Sequence, residues 1–318
     1  MNDAGLVTFA DVAGTTRVCT PQETIDRVTP LMPVFGITRV ANVTGLDTIG
    51  IPVVMVTRPN ARSVSVAQGK GATLEAAKAS GLMESIEIHH GEHILAPLLL
   101  ASYNEIRFRE TVVDVTQMAH SARRTLTATS RLLWIRGSDL SSGDPVWVPH
   151  EAVHTDFRTP APEGSGYFLS TSNGLASGNH IDEAVCHGLC EVIERDALAL
   201  WWSLTPEARD RTELNLDSVT DPHCRWLLDR FAGAGVEVRA WNMTSDVGVP
   251  AVHAWISAPD WGVRLAIRGI QRPWMPSLRP YRLVPGPLRS GADPSHHDIR
   301  RARRYRSSLL RSAAGHPP

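Results

Sequence analysis

The feature of this sequence that most constrains its fold is an internal repeat. Residues 71–87 (GATLEAAKASGLMESIE) align without gaps to residues 178–194 (GNHIDEAVCHGLCEVIE), 107 positions later, and seven of the 17 aligned positions are identical. Unrelated segments of this length share far fewer residues by chance. Each segment opens with glycine and continues with a helical pattern, so the repeat predicts two copies of one turn-helix unit within the chain.

Each copy of the repeat keeps two glutamates three positions apart, and these are Glu84, Glu87, Glu191 and Glu194. On a helix, residues three apart share a face, and two like charges side by side there cost about 0.2–0.5 kcal/mol. One turn before each pair stand only small residues, at Ala77, Gly81, Ala184 and Gly188. These small residues leave room beside the carboxylates for another backbone or for a ligand.

The second helix, residues 183–202 (EAVCHGLCEVIERDALALWW), is apolar on most sides. Its acids therefore cannot easily turn away into water, and a carboxylate in such surroundings stays ionised only beside a cation. Four converging carboxylates suit Mg²⁺, a hard ion with oxygen ligands that water and nucleotide phosphates usually complete. Two amphipathic helices with solvated glutamates are the simpler alternative, and the duplication favours the metal site.

Each helix also follows a turn rich in backbone N–H donors, GKGAT at 69–73 and ASGNH at 176–180. Helix N-termini present such donors to anions. Lys70, one of only two lysines among 32 basic residues, could reach a phosphate oxygen, or it could be a chance surface lysine. The stretch AQGKGAT does not match a Walker P-loop. We therefore predict a magnesium-nucleotide site between two related halves, without a P-loop.

Strand and helix patterns succeed each other along the chain. Residues 20–32 predict a helix with Thr20 as N-cap, and residues 132–153 predict two strands around a Ser-Ser-Gly-Asp turn. Further strands are predicted from β-branched runs at 36–44, 51–59 and 62–68. We therefore expect a mixed α/β fold, with largely antiparallel sheets, packed helices and two related turn-helix halves, over residues 1–262.

The composition excludes several classes of protein. A chain of 318 residues with 42% hydrophobic residues can bury a substantial core. No apolar run approaches the roughly 18–20 residues of a transmembrane helix, and the first residues lack the layout of a signal peptide, so we expect a cytoplasmic protein that contacts no membrane. The four cysteines are too few for a disulfide framework, and a net charge of -1 gives no sign of nucleic-acid binding.

Three stretches carry a resemblance to a known family. TGLDTIGIPVVMV, SVSVAQGKGATLEAAKASGLMESIE and NGLASGNHIDEAVCHGLCEVIERDALALWW resemble the YcaO family of ATP-dependent enzymes that modify peptide backbone amides. The resemblance runs from about residue 11 to 260. It implies a YcaO-like fold with ATP and Mg²⁺ as cofactors, and it places the four repeated glutamates at positions that bind magnesium and ATP phosphates.

The resemblance also implies further nucleotide-binding positions, which are Arg17, Thr24, Ser65, Lys70, Asn179, Glu183 and Arg195. Arg17 and Thr24 belong to the N-terminal stretch GTTRVCTPQETI, where the alignment is looser. One departure from the family is visible in the first helix, where ESIEI places Ile88 at a position that is arginine in many relatives. We expect this departure to weaken a single phosphate or helix contact.

The resemblance implies a reaction class. A nucleophile adds to a backbone carbonyl, and the resulting oxyanion is phosphorylated so that it can leave. The product is an azoline when a Cys, Ser or Thr side chain attacks, and a thioamide when an external sulfide does. The expected partners are a precursor peptide or protein substrate and, because the motifs look most like TfuA-associated members, a TfuA-like protein. A homodimer is plausible by resemblance alone, and no residue is identified as a general base.

Two other segments suggest alternatives. IEIHHGEHI gathers His89, His90, Glu92 and His93, but it is not an HExxH motif, so a zinc hydrolase ranks well below the first reading. Residues 263–318 form an arginine- and proline-rich tail, and we interpret them as frame-shifted or truncated relative to the family. If that is correct, the chain is a non-catalytic nucleotide- or peptide-binding relative that has lost part of the active site.

Overall fold

The structure, a computed structural model, describes residues 10–12, 15–161 and 164–258. The strands are β1 (Ala10–Val12), β2 (Thr15–Arg17), β3 (Arg39–Asn42), β4 (Val53–Thr57), β5 (Val66–Lys70), β6 (Leu98–Ser102), β7 (Arg131–Ser138), β8 (Pro145–Pro149), β9 (Glu237–Asn242) and β10 (Val252–Ser257). The helices are α1 (Pro21–Val28), α2 (Leu74–Glu92), α3 (Tyr103–Ile106), α4 (Ile181–Trp202), α5 (Pro206–Asp210) and α6 (Pro222–Gly233). The C-terminal tail at 263–318 lies outside the described residues.

The strands of the described part form four antiparallel sheets. Two sheets have three strands, in the orders β3-β4-β5 and β6-β7-β8, and two have two strands, β1-β2 and β9-β10. The two strands predicted within 132–153 are the β7-β8 pair. Helix α1 begins after Thr20, whose side chain forms a capping box with Glu23. The prediction of a mixed fold with largely antiparallel sheets is therefore confirmed.

Helix α2 packs on the β3-β4-β5 sheet through a contact that only glycine permits. The fully buried Val54 and Val56 of β4 belong to the same apolar core as the α2 residues Ala77 and Leu82. On β5, a Cβ atom added to Gly69 would lie 1.9 Å from the carbonyl oxygen of Ala77. Since no side chain fits there, the glycine lets the strand approach the helix backbone and fixes the position of α2.

The repeat in the sequence is also a repeat in three dimensions. A Cβ atom at Gly71 would lie 2.7 Å from the backbone nitrogen of Ala77, and one at Gly178 would lie 2.7 Å from that of Ala184. The N-cap residues Thr73 and His180 occupy equivalent positions, and each accepts a hydrogen bond from the first turn of its helix. The two predicted turn-helix units therefore form with the same local geometry.

The second helix of the repeat, α4, is held at both ends. A carboxylate anchors the loop before it, because Glu151 accepts hydrogen bonds from the backbone N–H groups of three consecutive residues at 2.5, 3.0 and 3.1 Å. These residues are Gly166, Tyr167 and Phe168. At the other end, Trp201 of α4 packs with Trp241 of β9 and with His253 of β10. The loop and the helix together place the second pair of acids.

Candidate functional site

The repeated acids meet where α2 faces α4. Glu87 of α2 is partly buried, and burial is the main reason that its pKa is raised to about 7. A hydrogen bond from the Ser177 hydroxyl, at 3.0 Å, opposes the rise, while the negative charges of Glu191 and Glu84 add to it. Three of the four predicted acids are therefore close enough to repel one another, and the site is one that a cation would stabilise.

Glu191 is fixed by groups on both sides of α4. Its carboxylate accepts a hydrogen bond from the backbone N–H of Gly174 at 3.0 Å and pairs with Arg195, one turn later, at 2.5 Å. Arg195 also donates to the side-chain oxygen of Asn173. A Cβ atom at Gly188 would lie 2.7 Å from the carbonyl oxygen of Gly174. The absence of a side chain at Gly188 therefore allows the loop that contains Gly174 to pack against α4 and bind Glu191.

Gly81 of α2 plays the same part as Gly188, because the backbone of Gly69 lies 3.1 Å from the position of an added Cβ atom. The prediction that the small residues of the repeat make room for another backbone is thus confirmed in both copies. Glu194 lies one turn after Glu191, where its charge helps to raise the pKa of the Cys190 thiol to about 11, after burial and the neighbouring Cys186.

A second group of predicted residues meets at the start of α4. Arg17 pairs with the buried Glu183 at 3.4 Å, and Glu183 also accepts a hydrogen bond from the backbone N–H of Val18 at 3.0 Å. The side-chain amide of Asn179 donates to the hydroxyl of the buried Thr24 at 2.9 Å. The structure therefore brings Arg17 and Thr24, near the start of the chain, together with Asn179 and Glu183, more than 150 positions later.

The predicted positions Ser65 and Lys70 lie just before β5 and at its last residue. Gly69, next to Lys70, packs against the backbone of Gly81 of α2, six positions before Glu87. Ser65 lies exposed before β5, where its carbonyl accepts from the backbone N–H of Arg58 at 2.7 Å. The glycines on both sides of Lys70 serve the contact between β5 and α2, and the predicted phosphate contact of Lys70 stays a prediction.

Two residues beside the site were missed by sequence reasoning. Arg27, exposed on α1, donates to the backbone and side-chain oxygens of Asn179 at 3.5 and 3.4 Å. His187 lies on α4 midway between Glu183 and Glu191, and burial of its ring and the charge of Arg17 lower its pKa. The only signal in the sequence was spacing, because Arg27 follows Thr24 by three positions and His187 is four from each acid.

The histidine-rich end of α2 does not form the alternative metal site. Glu92 is buried, pairs with Arg58, and accepts from the backbone and hydroxyl of Ser63 at 2.9 and 2.6 Å. The rings of His89 and His93 stack with centroids 4.3 Å apart. Across the described part of the chain, no three His, Cys, Asp or Glu side chains are arranged to hold a metal by themselves.

The carboxylates at the α2–α4 contact nevertheless fit Mg²⁺ held together with a nucleotide. Mg²⁺ usually takes only one or two carboxylates from the protein and completes its shell with water and phosphate oxygens. Glu87 and Glu191 supply hard oxygen donors, and a cation beside Glu87 would offset the burial and the neighbouring charges that raise its pKa. A closed cage of protein ligands is therefore not required at this place.

Comparison with known proteins decides the family. The model of the YcaO cyclodehydratase family, described as ATP- and Mg²⁺-binding, matches residues 68–268. The chain belongs to the YcaO family. The predicted membership and the predicted cofactors, ATP and Mg²⁺, are therefore confirmed, and the matched range contains both copies of the repeat.

The curated relatives point in the same direction. The YcaO chain is 39% identical over 241 residues to an uncharacterised protein in the tfuA 3' region of Rhizobium leguminosarum bv. trifolii, a match that covers 76% of this chain and 56% of that one. A Methanothermobacter thermautotrophicus protein is 37% identical over 238 residues, or 74% of this chain and 59% of the relative. The chain thus spans somewhat more than half the length of these relatives.

Solved structures confirm the YcaO fold. The structure of YcaO from Methanopyrus kandleri bound with AMPPCP and Mg²⁺ matches with a TM-score of 0.60 and 25% identity, over 78% of this chain and 61% of that chain. A heterocyclase in complex with substrate and cofactor matches with a TM-score of 0.63 and 21% identity, over 79% of this chain and 38% of that chain. No helix in the described residues is long and apolar enough to cross a membrane.

Proposed function

We propose that this YcaO chain binds Mg·ATP between α2 and α4 and uses it to activate a backbone amide of a peptide or protein substrate. The observation that carries the proposal is the meeting of acids from the two repeated helices, where Glu87 is partly buried beside Glu191 and Glu84. Like charges brought together in this way destabilise the fold unless a ligand offsets them. A divalent cation carrying a nucleotide provides that offset.

We assign the cation to the acids of the repeat, Glu84, Glu87, Glu191 and Glu194. Arg195 pairs with Glu191 and orients its carboxylate, and Ser177 does the same for Glu87 through a hydrogen bond at 3.0 Å. Holding both acids in place before the cation arrives reduces the ordering cost of binding. When bound, Mg·ATP supplies the phosphoryl group that turns the amide oxygen into a leaving group.

We assign the nucleotide to the start of α4. Four of the predicted residues meet there: Arg17, Thr24, Asn179 and Glu183. Glu183 holds Arg17 in place by an ion pair and also accepts a hydrogen bond from the backbone N–H of Val18, the next residue. Arg17 carries a guanidinium whose remaining N–H groups suit phosphate oxygens. Lys70 and Ser65, which the resemblance includes, stay proposed nucleotide-binding positions beside these four residues.

The reaction exchanges the oxygen of the amide for another atom. In azoline formation, a side-chain sulfur or oxygen of the substrate bonds to the carbonyl carbon, and the amide oxygen departs as part of inorganic phosphate. In thioamide formation, the sulfur of an external sulfide replaces the oxygen, which departs in the same way. The relative in the tfuA 3' region supports thioamide formation beside a TfuA-like partner as the form to test first.

The experiment is turnover of ATP with a candidate substrate. The chain, a TfuA-like protein, a sulfide source, Mg·ATP and peptides are combined, and the products are identified by mass spectrometry. Replacement of one oxygen by sulfur identifies a thioamide, and loss of one water identifies an azoline. Glu191→Gln serves as the inactive variant and Glu75→Gln, an exposed acid in the first turn of α2, as the matched control. A chain that binds Mg·ATP but never turns it over is the non-catalytic relative instead.

A further inference from the structure

We propose that Arg27 is a further phosphate-binding residue of the nucleotide site, acting beside Arg17. The inference deepens the proposed function and rests on it, since it concerns the same start of α4. Arg27 lies in the last turn of α1, and one of its terminal nitrogens contacts both oxygens of Asn179, at 3.5 and 3.4 Å. The same Asn179 donates to Thr24, so Arg27 borders residues assigned to the nucleotide.

The partners of Arg27 leave its charge uncompensated. Its other terminal nitrogen lies 3.6 Å from the sulfur of Cys19, so every acceptor within hydrogen-bond reach is neutral. Other arginines near the site are paired with carboxylates, as Arg17 is with Glu183 and Arg195 is with Glu191. Among the described residues, no acid lies within ion-pair distance of Arg27.

The nearest acid on α1 is committed elsewhere. Glu23, one turn before Arg27, accepts hydrogen bonds from the backbone N–H and the hydroxyl of Thr20, each at 2.8 Å. The hydrogen bonds from Thr20 are the main reason that the pKa of Glu23 is lowered, and the charge of Arg27 is the smallest cause. The capping box therefore keeps Glu23 at the N-terminus of α1 and leaves the guanidinium open to another anion.

The chemistry of the group suits phosphate. A guanidinium has five N–H donors in a planar fork, and the three contacts of Arg27 are long, at 3.4 to 3.6 Å. Phosphate oxygens accept from such a fork in pairs at shorter distances. Arg17, from β2, contacts Glu183, and Arg27, from α1, contacts Asn179, four positions earlier. One polyphosphate can therefore contact both guanidinium groups.

A purely structural role is the competing explanation, because the contacts of Arg27 also tie α1 to the loop before α4. Arg27→Gln separates the two roles. The amide of glutamine can still donate to Asn179, so the tie is kept while the charge is removed. Arg27→Lys keeps the charge and loses the fork. Arg39→Gln, at an exposed arginine on β3, is the matched control for loss of one positive charge.

The test measures binding of tripolyphosphate, ATP and adenosine to the full chain by calorimetry, with unfolding midpoints for each variant. Arg27→Gln should weaken the binding of tripolyphosphate about tenfold, which corresponds to the loss of one charge-assisted hydrogen bond. Its affinity for adenosine and its unfolding midpoint should stay unchanged. Arg27→Lys should have an intermediate affinity for tripolyphosphate. The proposal is overturned if Arg27→Gln binds tripolyphosphate like the wild type, if Arg39→Gln loses as much, if adenosine weakens equally, or if the wild type binds no tripolyphosphate. Failure of the proposed function gives a different result. In that case the wild type binds tripolyphosphate, but Glu191→Gln binds Mg·ATP as tightly as the wild type does.

Discussion

Replacing Glu87 by glutamine should stabilise the protein at alkaline pH. In the folded chain, burial and the charges of Glu191 and Glu84 raise the pKa of Glu87 to about 7, from an ordinary value of 4.5, although the hydrogen bond from Ser177 opposes the rise. Glutamine has nearly the same shape, can still accept the Ser177 hydrogen bond, and carries no charge. The substitution therefore removes the cost of burying a charged carboxylate, together with its repulsion by Glu191 and Glu84, from the native state.

The sign and the size follow from proton linkage. Between pH 4.5 and 7 the native state binds more protons at Glu87 than the unfolded chain does, so the free energy of unfolding falls as the pH rises. A difference of about 2.5 pKa units at about 1.36 kcal/mol each gives a loss of about 3 kcal/mol once the pH exceeds 7. Below pH 4.5 the acid is protonated in both states, and the variant and the wild type should be equally stable.

The assay is urea denaturation of the wild type and Glu87→Gln at pH 4 and pH 8, with Glu75→Gln as an exposed control on the same helix. We expect equal free energies of unfolding at the lower pH and an advantage of about 3 kcal/mol for Glu87→Gln at the higher. Mg²⁺ with ATP should narrow that advantage, because a cation beside Glu87 stabilises its ionised form. A variant that is less stable than the wild type at pH 8, or a difference that does not change with pH, would refute the reasoning.

Two further substitutions test the packing that places the acids. Gly69→Ala should destabilise the chain by about 1–3 kcal/mol or more, because the new Cβ atom would lie 1.9 Å from the carbonyl oxygen of Ala77, whereas Gly45→Ala, with open space around it, should have little effect. Arg58→Ala should cost about 3–5 kcal/mol by leaving Glu92 buried without its cation. Chemical denaturation at neutral pH measures both, and equal stability of the two glycine variants would contradict the close approach of β5 to α2.

The repeated acids could be predicted from the sequence because their chemistry and their packing repeat together. Gly81 and Gly188 stand at equivalent positions, and each admits a neighbouring backbone beside its helix. The spacing of the glutamates then follows from helical geometry, which is local. What the spacing could not show was how unevenly the acids are compensated, since Glu191 has Arg195 beside it while Glu87 is held by a neutral hydroxyl.

What the sequence could not show concerns long-range contacts. The glycines beside Lys70 allow the close packing of β5 on α2, whereas its phosphate contact stays a prediction. The histidine-rich segment was only a lower-ranked alternative metal site, and its Glu92 pairs with Arg58, 34 positions earlier. Arg27 was missed because its contact with Asn179 spans 152 positions. Contacts of this kind depend on the fold and leave no periodic signal in the sequence.

The central claim is that the acids of the two repeated helices hold Mg·ATP, and calorimetric titration of Mg·ATP into the wild type, Glu191→Gln, Glu87→Gln and Glu75→Gln tests it most directly. The account predicts saturable binding to the wild type and to Glu75→Gln that depends on Mg²⁺, and loss of that binding in Glu191→Gln and Glu87→Gln. Equal binding by all four proteins, or binding to the wild type that is indifferent to Mg²⁺, would contradict it.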